Sequence, residues 1–467
     1  MADAPRCLRD DPELRAAAAV DFGDIVHEAP AYVAQPRSTE DVAEVVRFAR
    51  AAGLRVAARG VGHSAGGQAQ VAGGIVIRMD GLQTLHAVDP QGRWCSADAG
   101  LRWRELMAAL VPRGLTPPVV TDWLDLSLGG TITAGGVGCQ SFRRGLQTDA
   151  VEAMTVVTGT GAIVECSATA EPELFDAVRG GLGQYGIVTR VRMALGPAPA
   201  AATLDHLVFD DVGRLLDAAE ALASDDGVDG LLAHAVPNRP AELARSLGVT
   251  EGVTALPSGV RWAYDLEVLR HDRGDEPPAL LEQARALGAA ASLCRRRRYR
   301  YDALVVRVPP IIERDRRAGR APHPELAMFV PQRQARALLS EIMDGLRVED
   351  LGGGPVLLIP LRPALVRSPF VRLPDDDGAW LLGVLRAAPS PDRVEAMTRD
   401  NLALWRRGTQ HGALRYPVDA LPQPSTPQGW AAHYGPGWER ARAAKQRYDP
   451  DHLLAPRLGI FTPDRQQ

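Results

Sequence analysis

Four glycines fall within the ten residues Arg59-Gly60-Val61-Gly62-His63-Ser64-Ala65-Gly66-Gly67-Gln68. No helix interior or central strand tolerates that density, so the run is a tight turn. With no Cβ in the way, its backbone N–H groups can approach an anion closely, which suits a pyrophosphate held by peptide donors. His63 then lies at the ligand. A glycine-rich turn is equally plain turn chemistry when it stands alone, so the remaining segments decide between the two readings.

At 467 residues the chain exceeds what one core usually supports, and 46% hydrophobic with 24% charged residues predicts a globular protein of two domains. The net charge of −4 gives no electrostatic reason to expect nucleic acid or an anionic membrane as partner. Arg295-Arg296-Arg297-Arg298 reads as a solvated face or loop. The five cysteines, Cys7, Cys95, Cys139, Cys166 and Cys294, show neither a Cys-x-x-Cys nor a histidine at metal-ligand spacing. With no apolar leader at the N-terminus and no apolar run long enough to span a bilayer, the expected location is the cytoplasm.

Ser38-Thr39-Glu40-Asp41 has the form of a capping box, and Val42, Val45, Val46 and Ala49 follow at helical spacing until Gly53. Short strands are expected at 54–58 and 75–79, making a small α/β unit with the glycine loop on its edge. Strands at 85–88 and 93–97 open a second subdomain, followed by a helix at 103–111. Ser127 to Gly136 is too glycine-rich for a helix or central strand, so backbone must approach something closely there. Gly159-Thr160-Gly161 joins a hairpin, Glu173 to Arg179 is a brief helix, and Ala194 to Ala202 reads as a linker. From Leu204 onward, longer strands alternate with helices, which predicts an antiparallel sheet covered by helices. The tail, with Trp430, His433, Trp438, Tyr448 and Phe461, is too aromatic for a frayed terminus.

In order along the chain, Arg59–Ser64 with Gln68, Thr121-Asp122-Trp123-Leu124, Gly129-Gly130-Thr131, Phe142–Gly145, Gly180–Gly186, His323-Pro324, Phe329-Val330-Pro331, Gly354-Pro355 and the tail resemble the cytokinin dehydrogenases. These are a branch of the vanillyl-alcohol oxidase superfamily of flavin oxidases, with the PCMH-type FAD-binding fold. The resemblance implies an α+β protein in two domains: an FAD-binding domain of two α/β subdomains over 1–197, a substrate-binding domain of antiparallel sheet and helices over 198–420, and a return segment over 421–467 that completes the first.

The resemblance also assigns roles. FAD is bonded covalently to His63; Arg59, Gly60, Val61, Gly62, Ser64 and Gln68 hold the pyrophosphate region; Ser127, Thr133 and Val137 form a second flavin loop; Val188 lies on the adenine side. Asp122 is the base that takes a proton from the substrate amine as hydride leaves the neighbouring carbon, and it also borders the flavin. The plainer reading of Asp122 is a capping aspartate. Glu325 and Leu421 fall in the substrate pocket, and no metal is implied. No cysteine stands in Asp122-Trp123-Leu124-Asp125 to make a second flavin bond.

The departures from the family pattern concern the substrate. A carboxylate expected near Leu231–Leu232 is absent, Glu325 and Ala327 replace a tryptophan and an asparagine, and Ala420 replaces a tyrosine. Glu325 or Glu267 is a candidate replacement for the missing carboxylate, against the plainer reading of each as a surface or cross-strand acid. The leading expectation is an oxidoreductase acting on a C–N bond of a small aromatic or allylic amine, with O2 or a quinone as acceptor and poor turnover of isoprenoid adenines. The alternatives are oxidation of an alcohol or ring position in secondary metabolism, and a flavoprotein that sequesters a drug-like molecule without turnover. The sequence sets no oligomeric state.

Overall fold

The computed structural model describes residues 4–274, 276–307, 321–422, 424, 427–454 and 457–461. Its first layer is a four-stranded sheet in the order Leu8–Arg9, Tyr32–Ala34, Ile75–Arg78, Val56–Arg59, with parallel pairing of the last three strands. The helix Thr39–Ala52 covers it. Ser38 Oγ accepts from Asp41 N at 3.1 Å, and Gly53 ends the helix with φ of 66°. Val42, Val45, Val46 and Ala49 all lie on the buried stripe, so the spacing that predicted the helix also packs it.

A second sheet of five antiparallel strands follows in the order Leu85–Asp89, Trp94–Asp98, Ile187–Ala194, Val151–Val157, Ile163–Ser167. The hairpin around Gly159–Gly161 and the helix Pro172–Val178 form as expected. Ser127 to Gly136 does not: Leu128–Ala134 is a helix. Glycine is unfavourable in a helix by about 1 kcal/mol, yet here it is required by packing. A Cβ on Gly129 would lie 2.9 Å from Ala99 Cβ, and one on Gly136 would lie 2.0 Å from Gln147 Oε1. The predicted close approach exists, and it is helix against strand end.

The segment read as a linker is pinned. Gly196–Pro197 pairs with Leu115–Thr116, and Ala201 already begins a strand. That strand enters an eight-stranded sheet in the order Arg295–Arg300, Ala201–Phe209, Trp262–His271, Gly230–Pro237, Val356–Leu361, Ala379–Val384, Leu326–Pro331, Leu414–Arg415. Every adjacent pair of strands in it runs antiparallel. The arginine run is thus an edge strand rather than a loop, because its charges have partners: Arg296 makes a bidentate pair with buried Asp205 at 2.6 Å, and Arg297 donates to Gly248 O. Charged side chains on an edge also discourage pairing with another chain.

Period-two alternation divides this sheet between two cores. Val356 and Leu358 face the helices Val212–Ala223 and Gln332–Gly345, whereas Ile359, Leu361, Leu232, Leu269 and Phe329 share a core with the N-terminal region. The tail returns to the first layers. Leu454 bridges Val56, and Lys445, 1% exposed, donates to Gln184 O at 2.9 Å and Leu454 O at 2.6 Å while paired with Asp449. Among the described residues no helix is long and apolar enough to cross a membrane.

Candidate active site

The glycine loop leaves the strand Val56–Arg59 at the edge of the first sheet and is laced to the segment before it. Phe22 N donates to Gly62 O and Gly23 N to Ser64 O, both at 2.9 Å. Asp21, 7% exposed, accepts from Ser64 Oγ at 2.9 Å and Gly67 N at 2.7 Å, and burial raises its pKa. Gln68 Oε1 accepts from Gly66 N while its Nε2 donates to Asp419 O at 2.8 Å. The side chains of Ser64 and Gln68 therefore shape the loop and tie it to the middle region, leaving any anion to backbone groups and Arg59.

Arg59 crosses this loop. Its Nη2 donates to Val20 O at 2.7 Å, its guanidinium occupies the space where a Cβ on Gly62 would stand, and its Nη1 is buried without a partner. Burial lowers its pKa. An unpaired buried guanidinium nitrogen is costly, and an anion would satisfy it. Gly60 lies against the second loop, since a Cβ there would be 2.0 Å from Ser127 Oγ. In that loop Ser127 precedes the helix Leu128–Ala134, Thr133 bonds its own helix at Gly129 O, and half-buried Val137 follows Gly136. Gln147, 1% exposed, borders Gly136 with neither amide atom paired. Val188 is buried in the strand Ile187–Ala194, whose next residue, Thr189, accepts from Ala99 N. Two glycine-lined loops in contact, with an orphaned guanidinium nitrogen on one and the unpaired Gln147 amide beside the other, fit the phosphates and flavin of FAD.

His63 is boxed by rings. Phe22 lies 4.1 Å and Trp123 4.3 Å from it, centroid to centroid, and His323 stacks on Phe22 at 4.2 Å. Trp123 places Asp122 beside this box. Asp122 is half-buried, with 24% of its side-chain surface open. Among the described residues its carboxyl makes no capping bond, and it faces Arg307, whose Nη2 is 3.6 Å from Asp122 Oδ1 and 2.5 Å from Glu267 Oε2. Burial raises the Asp122 pKa most, Arg307 and His234 pull it down, and Glu267 pushes it up.

The two candidate acids are not surface groups. Glu267 is 9% exposed and stands directly across from Leu232, where the resemblance expects a carboxylate. Burial acts to raise its pKa, but Arg307, His206 and His234 outweigh this and hold it below the usual range. Glu325 precedes the strand Leu326–Pro331, and its carbonyl accepts from Ala420 N. Burial and then Asp419 push its carboxyl up to about 8, so it is protonated at neutral pH. Leu421 is buried, its carbonyl accepting from Arg415, which also pairs with Asp419. The structure thus gathers His63, Trp123 and Asp122 at one place, and Gln68, Asp419, Glu325 and Leu421 beside it.

Residues 30–167 match the family described as FAD binding domain, and residues 259–461 match the family described as Cytokinin dehydrogenase 1, FAD and cytokinin binding. Cytokinin dehydrogenase 4 of Oryza sativa subsp. japonica is 34% identical over 475 residues, covering 95% of this chain and 88% of the relative. The chain belongs to the cytokinin dehydrogenase-like family of PCMH-type FAD-binding proteins. An uncharacterized oxidoreductase, ORF5 in the fasciation locus of Rhodococcoides fascians, is 32% identical over 454 residues, 96% and 97% of the two chains. Cytokinin dehydrogenase 3 of Arabidopsis thaliana is 31% identical over 465 residues, 95% of this chain and 88% of the relative. This family member is an FAD-dependent oxidoreductase acting on CH–NH donors, which sets aside the sequestering flavoprotein.

Sequence reasoning missed Asp21 and Arg307. Arg307 carried a signal, since a lone arginine in Leu304-Val305-Val306-Arg307-Val308 is a charge in an apolar run and must find partners if buried. Asp21 carried none, because its role depends on a loop distant in sequence.

Proposed function

We propose that this enzyme oxidises a C–N bond of an allylic or aromatic amine, with Asp122 as the base and the flavin bonded to His63. The observation that carries the reading is the position of Asp122: half-buried beside the Arg307 guanidinium, next to Trp123 and hence to His63. When bound, FAD supplies the two-electron acceptor for the hydride. Arg59 and the bare N–H groups of Gly60 to Gly62 hold its phosphates, and the loop at Ser127 to Val137 borders the rest. Asp122 accepts the amine proton at a carboxylate oxygen, so the nitrogen lone pair assists departure of hydride from the adjacent carbon.

General-base help of this kind is worth ~10²–10⁴-fold. Asp122→Asn keeps the shape and removes the basicity. Anaerobic reduction of the flavin by a reactive amine is expected to slow by that factor, with flavin content unchanged. A variant that loads flavin and reduces it at the wild-type rate removes Asp122 from the role.

A further inference from the structure

Asp122 poses a difficulty that its own surroundings create. Burial raises a carboxyl's pKa, and a carboxyl that is protonated at neutral pH accepts no proton. The groups facing it are Arg307 after the helix Tyr301–Val305, Glu267 on the strand Trp262–His271, His234 on the neighbouring strand Gly230–Pro237, and Cys139 before the helix Ser141–Arg144. Arg307 is the permanent cation among these.

The geometry of that arginine is asymmetric. One nitrogen, Nη2, donates to Glu267 Oε2 at 2.5 Å and stands 3.6 Å from Asp122 Oδ1. The first distance is a charge-assisted hydrogen bond; the second is too long for one but close enough for strong Coulomb attraction. Asp122 therefore feels the positive charge without having its oxygen occupied by a donor among the described residues. A bidentate arginine would stabilise the carboxylate more and leave it a poorer, blocked base. Glu267 draws the guanidinium away from that arrangement, and it is itself fixed by the sheet, opposite His206 and Leu232.

We infer that Arg307, braced by Glu267, is a positioning residue that keeps Asp122 ionised with its oxygens open to the substrate. This rests on Asp122 being the base. It assigns opposite effects to the two members of one ion pair: loss of Arg307 raises the Asp122 pKa, and loss of the Glu267 charge lowers it, because Arg307 then acts on Asp122 alone. A purely structural ion pair gives the same loss from either side.

The test measures flavin reduction by saturating amine under anaerobic conditions across pH, so that the acid limb belongs to the substrate complex. In Arg307→Gln that limb is expected to move up by about 1–3 pH units, with Arg307→Lys restoring part of the shift. In Glu267→Gln it is expected to move down. A pH-difference infrared spectrum of the enzyme without substrate supplies a second readout: the protonated carboxyl band missing from Asp122→Asn titrates with the same opposite shifts. Limbs that stay in place, or move the same way in both variants, overturn the inference. Should Arg307→Gln fail to fold, the direction in Glu267→Gln decides alone. Asp122→Asn separates the two levels: wild-type reduction by that variant overturns the base itself, whereas slow reduction with unmoved limbs overturns only the positioning role.

Discussion

His63 and Trp123 meet with ring centroids 4.3 Å apart and planes tilted by 51°. That contact joins the glycine loop of the first layer to the stretch that carries Asp122, two segments with no local reason to be neighbours. Phe22 and Trp123, themselves 5.9 Å apart, both pack on the His63 ring and limit its rotation, which suits a histidine that forms a lasting bond.

The covalent link is decided by intact mass under denaturing conditions. The protein is expected to carry the mass of FAD, and His63→Ala to lose it and to release flavin on acid precipitation. A wild-type chain at apo mass, or a His63→Ala chain that retains its flavin, rules the link out.

The glycine loop was legible in the sequence because glycine patterns report backbone needs directly. Gly60 and Gly62 read as a loop, and in the structure each faces a neighbour, Ser127 and Arg59, that leaves no room for a side chain. What was hidden depended on tertiary context. Helix propensity argued against Leu128–Ala134, and packing of Gly129 on Ala99 overrode it. Arg295–Arg300 is too polar to read as a strand until Asp205 and Asp272 are brought alongside. Glu267 and Glu325 look like ordinary surface acids in one dimension; their burial comes from elements far along the chain.

Glu325 gives a pH prediction. Its pKa rises from 4.5 to about 8 through burial and then Asp419. The native state holds the proton between those values, so the stability of the protonated form is complete below the first and is lost as pH rises through the second. Glu325→Gln mimics the neutral acid at every pH. Its melting temperature is expected to match wild type at about pH 5 and exceed it by about pH 9, by about 1 °C for every kcal/mol recovered. Parallel curves across this window would show that Glu325 ionises normally.

Lys445 tests the return segment. Its buried ammonium pairs with Asp449 at 2.7 Å, and Asp449 accepts from Leu453 N and Leu454 N just where the tail bridges Val56. Removing one member of a buried pair costs ~3–5 kcal/mol because the other charge is left alone. Lys445→Met is expected to lower the unfolding free energy in urea by that amount, and Lys445→Met with Asp449→Asn to recover part of it. An unchanged midpoint for the single variant would mean that the tail is not held this way.

The last prediction concerns the substrate. The family resemblance places a purine-binding carboxylate near Leu231–Leu232, and the acid that the fold brings there, Glu267, already has its charge taken by Arg307. Glu325 stands in place of a tryptophan and is protonated, while Ala327 and Ala420 are smaller than the asparagine and tyrosine they replace. A site made to hydrogen-bond its ligand discriminates strongly, and losing one charge-assisted bond is worth ~1.5–3 kcal/mol, or roughly one to two decades in binding. Two such losses leave weak turnover of an isoprenoid adenine, and the space at Ala420 admits a bulkier amine instead. Mixing the enzyme with isopentenyladenine without oxygen is expected to bleach the flavin slowly, and multi-ring allylic amines to bleach it faster. Rapid bleaching by isopentenyladenine at low ligand concentration would overturn the prediction and with it the alignment that matches Leu231–Leu232, Glu325, Ala327 and Ala420 to the purine site.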